Sequence, residues 1–231
     1  MNDDLRLALS LADEADAITM RYFQSATLAV RTKGDRTPVS EADEAVERMI
    51  RERLERERPD DGILGEEFGS RGDAARRWII DPIDATKNYV RGIPVFATLI
   101  ALDGLVGVVS APALGRRWWA ARGEGAFCNG SPIRVSAVAR LADAAVSAAL
   151  ASDLAAVEDV AWHARGLGDF WQHVLVAEGA LDAAIDYPLK LWDYAALVPI
   201  VEEAGGRTGF TAGGQFVSSN GLIHHEIVRT P

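Results

Sequence analysis

Three acidic segments carry the chemistry this sequence could perform. Gly65-Glu66-Glu67 follows an apolar run, Asp81-Pro82-Ile83-Asp84-Ala85-Thr86 directly follows Trp78-Ile79-Ile80, and Asp193 opens a helical stretch after Leu191-Trp192. Carboxylates placed just past buried strands lie at a rim, where loops usually build sites. Proline at 82 blocks a regular ladder, so a sharp turn is expected that points both aspartates and the Ile83 carbonyl at one place. Two carboxylates about 4 Å apart repel by ~4 kcal/mol at an effective dielectric near ~20. A divalent cation removes that strain, and hard oxygen ligands select Mg²⁺ or Mn²⁺ over zinc. Beyond Asp84, the amides of Ala85 and Thr86 at a helix start would form an anion cradle. Taken singly, Glu66, Glu67 and Asp193 are more often solvated acids or helix caps than metal ligands, and Asp43 reads as half of a capping box. The three segments together favour a site.

Other chemistries are excluded or unsupported. There is no phosphate-binding G-x-x-x-x-G-K-[ST] loop and no G-x-S-x-G nucleophile elbow. His224 and His225 are adjacent, so they cannot share a helix face as zinc ligands. One cysteine, Cys128, rules out an internal disulfide framework and a thiolate zinc cluster. The net charge of −10 argues against nucleic acid, whose phosphates need a basic footprint. It does not exclude a phosphate ester, because bound cations reverse the local sign of a site. No run approaches the ~20 apolar residues of a membrane helix. The acidic Met1-Asn2-Asp3-Asp4 start is unlike a secretory signal, so a cytoplasmic protein is expected.

The elements that must position these acids follow from periodicity. Leu5, Leu9, Ala12, Ala15, Ile18 and Tyr22 mark one amphipathic helix. After the polar loop 32–38, Ser40 and Asp43 fit a capping box for a second helix carrying Val46, Met49, Ile50 and Leu54, stopped by Pro59. Short apolar runs at 62–65, 78–81 and 97–102 suit buried strands, Asp103-Gly104 marks a hairpin, and Asn129-Gly130 another turn. The alanine-rich stretch 137–163 suggests a helix or two. A helix from Asp193 to Ala204 is expected to bend or lose one backbone bond at Pro199 and to end at Gly205-Gly206. A soft boundary near residue 140 divides 1–140, with most of the acids, from 141–231, with Asp193, in one compact α/β (α+β) unit.

The motifs Gly65-Glu66-Glu67, Trp78 to Asn88, and Trp192-Asp193-Tyr194-Ala195-Ala196 running into Glu203-Ala204-Gly205-Gly206 resemble the inositol monophosphatase superfamily of magnesium-dependent phosphatases. Lys87 to Ile100, Ser110 to Leu114 and Arg116 to Gly123 are similar, more particularly, to the histidinol-phosphatases of that superfamily found in actinobacteria. The resemblance implies a layered αβαβα sandwich, a homodimer, and hydrolysis of L-histidinol phosphate in histidine biosynthesis. It implies two or three Mg²⁺ ions, with Mn²⁺ a possible substitute, held by Glu66, Asp81, the Ile83 carbonyl, Asp84 and Asp193. It further implies that Glu66 and Thr86 orient and deprotonate water, with Asp43 accepting from the Thr86 hydroxyl. Asp84, Ala85, Thr86, Arg165, Gly168, Asp169 and Asp186 fall on segments that contact substrate.

Specificity can be argued from charge. Asp169 and Asp186 could pair with the ammonium and imidazole of histidinol phosphate, whereas a polyol needs neutral partners. The superfamily's motif commonly has glycine where this chain has Ala85, for which a helical φ is expected. Two other readings remain: an inositol-1-monophosphatase or sugar-bisphosphatase, and a non-catalytic metal- or phosphate-binding regulator.

Overall fold

The computed structural model describes residues 2–34, 37–187 and 189–229. Asp35 and Arg36 of the polar loop therefore lie outside the described residues. The chain begins with α1 (Asp3–Tyr22), capped by the Asn2 side chain, which accepts from the Leu5 amide at 2.7 Å. A short ribbon of β1 (Val30–Thr32) and β2 (Pro38–Ser40) leads into α2 (Glu41–Glu57). The expected capping box is present, with Ser40 as N-cap and Asp43 three residues on.

Next come β3 (Gly62–Gly65), β4 (Gly69–Arg71), β5 (Arg77–Asp84) and the short α3 (Thr86–Val90). Strands β6 (Ala97–Leu102), β7 (Val106–Ala111), β8 (Arg116–Ala121), β9 (Gly125–Cys128) and β10 (Ser131–Pro132) complete an eight-stranded sheet in the order β10-β9-β8-β7-β6-β5-β3-β4. The Asp103-Gly104 and Asn129-Gly130 turns fall where sequence placed them, between β6 and β7 and between β9 and β10.

The second half holds β11 (Ala145–Ala148), α4 (Ala151–Glu158), β12 (His163–Arg165), α5 (Asp169–Ala177) and β13 (Ala183–Ile185). It continues with α6 (Leu191–Tyr194), α7 (Leu197–Glu203), β14 (Arg207–Phe210), β15 (Phe216–Ser219) and α8 (His224–Ile227). Its five strands pair in the order β12-β11-β13-β15-β14.

These parts stack as five layers. One face of the large sheet buries Trp78, Ile80, Ile100 and Val108 against Leu11, Val46 and Ile50 of α1 and α2. The other face packs Ile79, Leu99, Val109 and Trp118 on Phe170, Val174 and Ile200 of α5 and α7. The small sheet covers that middle layer and buries Val146, Ile185 and Val217 against Val157 and Ile227 on its outer side. Alternate residues of β5 thus feed opposite cores, as the pleat requires. At Gly107 the sheet meets the start of α7 so closely that a Cβ would lie 2.1 Å from the Ala196 carbonyl oxygen.

Three expectations are corrected. The stretch 137–163 contains β11 besides α4, because pairing with β12 and β13 on both sides overrides alanine's helix preference. The single helix expected from Asp193 is two, α6 and α7, and Pro199 is the third residue of α7, where its missing N–H costs no intrahelical bond. Pro82 does not turn the chain out of the sheet, because β5 continues through it to Asp84. Among the described residues, no helix is long and apolar enough to cross a membrane.

Candidate active site

The site begins with how β5 ends. It pairs with β6 through Asp81 opposite Leu99 and Asp84 opposite Ala97, so three steps on β5 answer two on β6. In a regular strand a spacing of three would send Asp81 and Asp84 to opposite faces. The extra residue brings them back to one side, which is what a bulge does beside functional sites. The buried Thr98 hydroxyl donates to the Pro82 carbonyl at 2.8 Å and fixes this irregular stretch.

Parallel pairing of β3 with β5 sets Gly65 beside Ile80, so Glu66 emerges next to Asp81. Its amide donates to the Ile80 carbonyl at 3.2 Å. Glu47 on α2, fully buried, accepts from the Glu67 amide at 2.7 Å and the Phe68 amide at 3.1 Å, with Arg51 at 2.7 Å closing the pair. A Cβ at position 65 would stand 2.0 Å from the Glu47 carboxylate, so only glycine lets α2 anchor this turn.

Asp81, Asp84 and Asp193 each place a carboxylate oxygen within 4.8 Å of the others. Two are oriented by backbone amides, Asp84 by Phe170 at 2.7 Å and Asp193 by Lys190 at 2.6 Å. Asp81 is buried, and its Oδ1 has no hydrogen-bond partner among the described residues. An orphaned buried carboxylate oxygen beside two more carboxylates is a donor set for a hard divalent cation. The residues therefore fit Mg²⁺. A cavity of about 480 Å³ opens onto them, lined also by Glu66, Ile83 and Thr86.

Burial first, then mutual repulsion, pushes these acids up. Asp81 is raised by desolvation and by the charges of Glu66, Asp84 and Asp193, and Asp84 by desolvation and by Asp169 and Asp193. Asp193 reaches about 7 for the same reasons, although the Lys190 amide pulls the other way. Lys33 offsets part of this charge, its ammonium 2.7 Å from Glu66 and 2.6 Å from Glu67. Glu67 is nonetheless lifted to about 7, chiefly by burial.

The Thr86 hydroxyl lies 2.9 Å from the Ile83 carbonyl and 3.4 Å from Asp43 Oδ1. The other oxygen of Asp43 accepts from the Ser40 amide at 2.8 Å and the Ser40 hydroxyl at 2.5 Å. One carboxylate therefore caps α2 and faces Thr86, and burial raises it to about 6. Ala85 caps α3 with φ 63° and ψ 43°, which corrects the expected helical φ. The left-handed region costs a non-glycine residue ~1–2 kcal/mol. It turns the chain sharply between Asp84 and the α3 amides.

Gly168 and Asp169 also line the cavity, next to the Phe170 amide that binds Asp84, and Asp169 is left-handed with φ 50° and raised to about 6 by burial and by the charge of Asp186. Asp186 and Arg165 are not among the cavity-lining residues. Asp186 is fully buried, accepting from Gln172 at 2.8 Å and from the Tyr187 amide at 2.9 Å, while the Arg165 guanidinium donates to His163 at 2.8 Å. Sequence reasoning missed Lys33, Glu47, Tyr187 and Lys190, the last two lining the cavity. Glu47 with Arg51 reads as an ordinary surface pair at i, i+4, and no local signal joins Lys33 to Glu66.

The profile of the Inositol monophosphatase family matches residues 1–227. The chain is 49% identical to a histidinol-phosphatase of Mycobacterium tuberculosis, over 98% of this chain and 97% of that one. It is 48% identical to a histidinol-phosphatase of Streptomyces coelicolor, over 98% and 96%. Among solved structures, the extragenic suppressor protein suhB of Bartonella henselae superposes with a TM-score of 0.90 at 30% identity, covering 99% of this chain and 98% of that one. The αβαβα layers, the convergent acids and these likenesses coincide along nearly the whole length, and the chain belongs to the inositol monophosphatase family.

Proposed function

We propose that this chain is a Mg²⁺-dependent phosphomonoesterase that hydrolyses L-histidinol phosphate to L-histidinol and phosphate, as a step of histidine biosynthesis. The observation that carries it is the meeting of Asp81, Asp84 and Asp193 within 4.8 Å around an unpartnered buried oxygen. The substrate is drawn from the histidinol-phosphatases the chain resembles at 48–49% identity.

In this reading Asp81, Asp84, Asp193, Glu66 and the Ile83 carbonyl hold two or three Mg²⁺ ions, with Mn²⁺ able to replace them. Bound Mg²⁺ supplies Lewis-acid stabilisation of charge on the phosphoryl oxygens and acidifies water at the site. The chain's own groups do the rest. Thr86 and Glu66 orient the attacking water, and the Thr86 hydroxyl passes a proton toward Asp43, whose value near 6 leaves it mostly ionised and able to accept at neutral pH. The amides of Ala85 and Thr86 face the phosphate, positioned by the left-handed turn at Ala85. Asp169, on the wall of the cavity beside Asp84, meets the ammonium of the alcohol part. Asp186, sealed behind that wall, supports it rather than touching substrate. The enzyme works as a cytoplasmic homodimer.

The test is phosphate release from L-histidinol phosphate with and without Mg²⁺, beside inositol 1-phosphate and fructose 1,6-bisphosphate. Metal-dependent turnover that is fastest on histidinol phosphate supports the proposal. Preference for either other substrate moves the specificity to that class, and bound Mg²⁺ without turnover on any of them leaves a binding protein.

A further inference from the structure

The Gln172 side chain, wholly buried on α5, has every polar atom in use. Its oxygen accepts from the Ser147 hydroxyl at 2.7 Å and from the Gly168 amide at 3.3 Å. Its nitrogen donates to Asp186 at 2.8 Å and to the Ile185 carbonyl at 3.3 Å. The Ser147 hydroxyl in turn accepts from the Leu167 amide at 3.1 Å. One amide group thus ties the turn before α5 to the end of β13 and to β11.

That turn is not relaxed. Gly168 has φ 75° and Asp169 φ 50°, a pair of positive values just where the chain enters the helix and lines the cavity. A non-glycine residue stays left-handed only if its surroundings over-determine it. The Phe170 amide fixes one side by donating to Asp84 at 2.7 Å. On the other side Gln172 and Ser147 hold Gly168 and Leu167. Gly168, Asp169 and Asp84 line the cavity, while Gln172, Ser147 and Leu167 do not.

We infer that Gln172, with Ser147 behind it, is a positioning residue that holds Asp169 in its left-handed conformation toward the cavity and thereby sets affinity for the alcohol part of the substrate. The inference rests on the proposed histidinol-phosphatase reading for its choice of substrate. A buried amide with five partners, His173 at 3.5 Å among them, is rigid, and removing it releases the Leu167–Gly168 side of the turn while Asp84 keeps the Phe170 amide.

Gln172→Met keeps volume and removes all of these bonds. With L-histidinol phosphate its KM should rise about tenfold while kcat stays within about threefold, the cost of a lost buried hydrogen-bond partner. With p-nitrophenyl phosphate, which lacks the ammonium, KM should stay within about twofold. If Gln172→Met does not fold, Ser147→Ala is read the same way. Equal rises in KM for both substrates, or lowered thermal stability with unchanged KM, would overturn the inference. Amide hydrogen exchange gives an independent reading: residues 166–170 should lose protection in the variant while α7 does not, and unchanged exchange would also overturn it. Failure of the wild type to hydrolyse histidinol phosphate would refute the activity alone, because the exchange result stands without any substrate.

Discussion

Asp81→Asn removes one charge from the cluster without changing its shape, and the structure fixes what should follow. Asp81 is buried, and Asp84 and Asp193 each bring an oxygen within 4.8 Å. Each such pair, if fully ionised, repels by about 3.5 kcal/mol at an effective dielectric of ~20. Proton uptake by the raised carboxyls relieves most of that, so the net relief on substitution is set at about 2 kcal/mol. For a domain of this length that is a rise in Tm of about 4–8 °C, measured in EDTA. With Mg²⁺ the order should reverse. At a hundredfold excess over its Kd the ion stabilises the wild type by ~2.7 kcal/mol, and the variant, lacking a buried ligand, should gain little. Phosphatase activity should fall by about 10³-fold, as expected when several kcal/mol of charge stabilisation is lost. Thermal unfolding with EDTA and with Mg²⁺ reads both signs on one preparation. A variant less stable than wild type in EDTA, or one that gains as much from Mg²⁺, would refute the account of Asp81 as a strained ligand.

Asp43 and Asp169 near 6, and Glu67 and Asp193 near 7, lie above their ordinary values, so the native state holds protons that the unfolded chain has released. Their stabilisation is complete below about pH 4 and is lost as pH rises to about 7, so the Tm of the metal-free protein should fall between pH 5 and 8; a rise over that range would contradict the shifts. Ala85→Gly relieves a left-handed penalty of ~1–2 kcal/mol against ~0.5–1 kcal/mol of added chain entropy, which predicts a gain of about 0.5 kcal/mol by urea unfolding. Ala85→Val should lose more than about 2 kcal/mol, and a neutral valine would mean that φ there is not positive. Thr86→Val should cut kcat about 100-fold with KM within about threefold and Tm nearly unchanged, measured by steady-state kinetics beside thermal unfolding.

Much of the frame was legible because it rests on local signals. The α1 and α2 periodicities, the Ser40–Asp43 box and the Asp103-Gly104 turn each lie within a few residues. The acids were legible by position, since Glu66, Asp81 and Asp193 all follow apolar runs. What failed was non-local. Whether Pro82 turns the chain or is absorbed by a shifted register depends on β6, and nothing between residues 78 and 84 encodes that. Ala85 offers no signal of positive φ, because alanine adopts it only under tertiary constraint. Asp186 and Asp169 looked alike as acids near the substrate segment, yet one is sealed among Gln172, His173 and the Tyr187 amide while the other lines the cavity. The alanine-rich 145–148 reads as helix by propensity and becomes a strand because β12 and β13 flank it on both sides.

The departures from regular structure gather around one cavity. The irregular register of β5, the left-handed Ala85 and Asp169, the orphaned Asp81 oxygen and the repelling carboxylates all border it. Each alone costs about 1–3 kcal/mol, a large share of the margin by which a domain is folded. They are tolerable here because β5 is clamped on both faces, by Trp78 and Ile80 against α1 and α2 and by Ile79 against the α5–α7 layer. The sandwich therefore does more than display the acids. Two continuous cores pack the two faces of one strand, and its end is thereby held where Asp81 and Asp84 repel each other and Asp193. A fold with a single-sided sheet would let the end of β5 splay and dissipate that repulsion, and the affinity for a cation would fall with it.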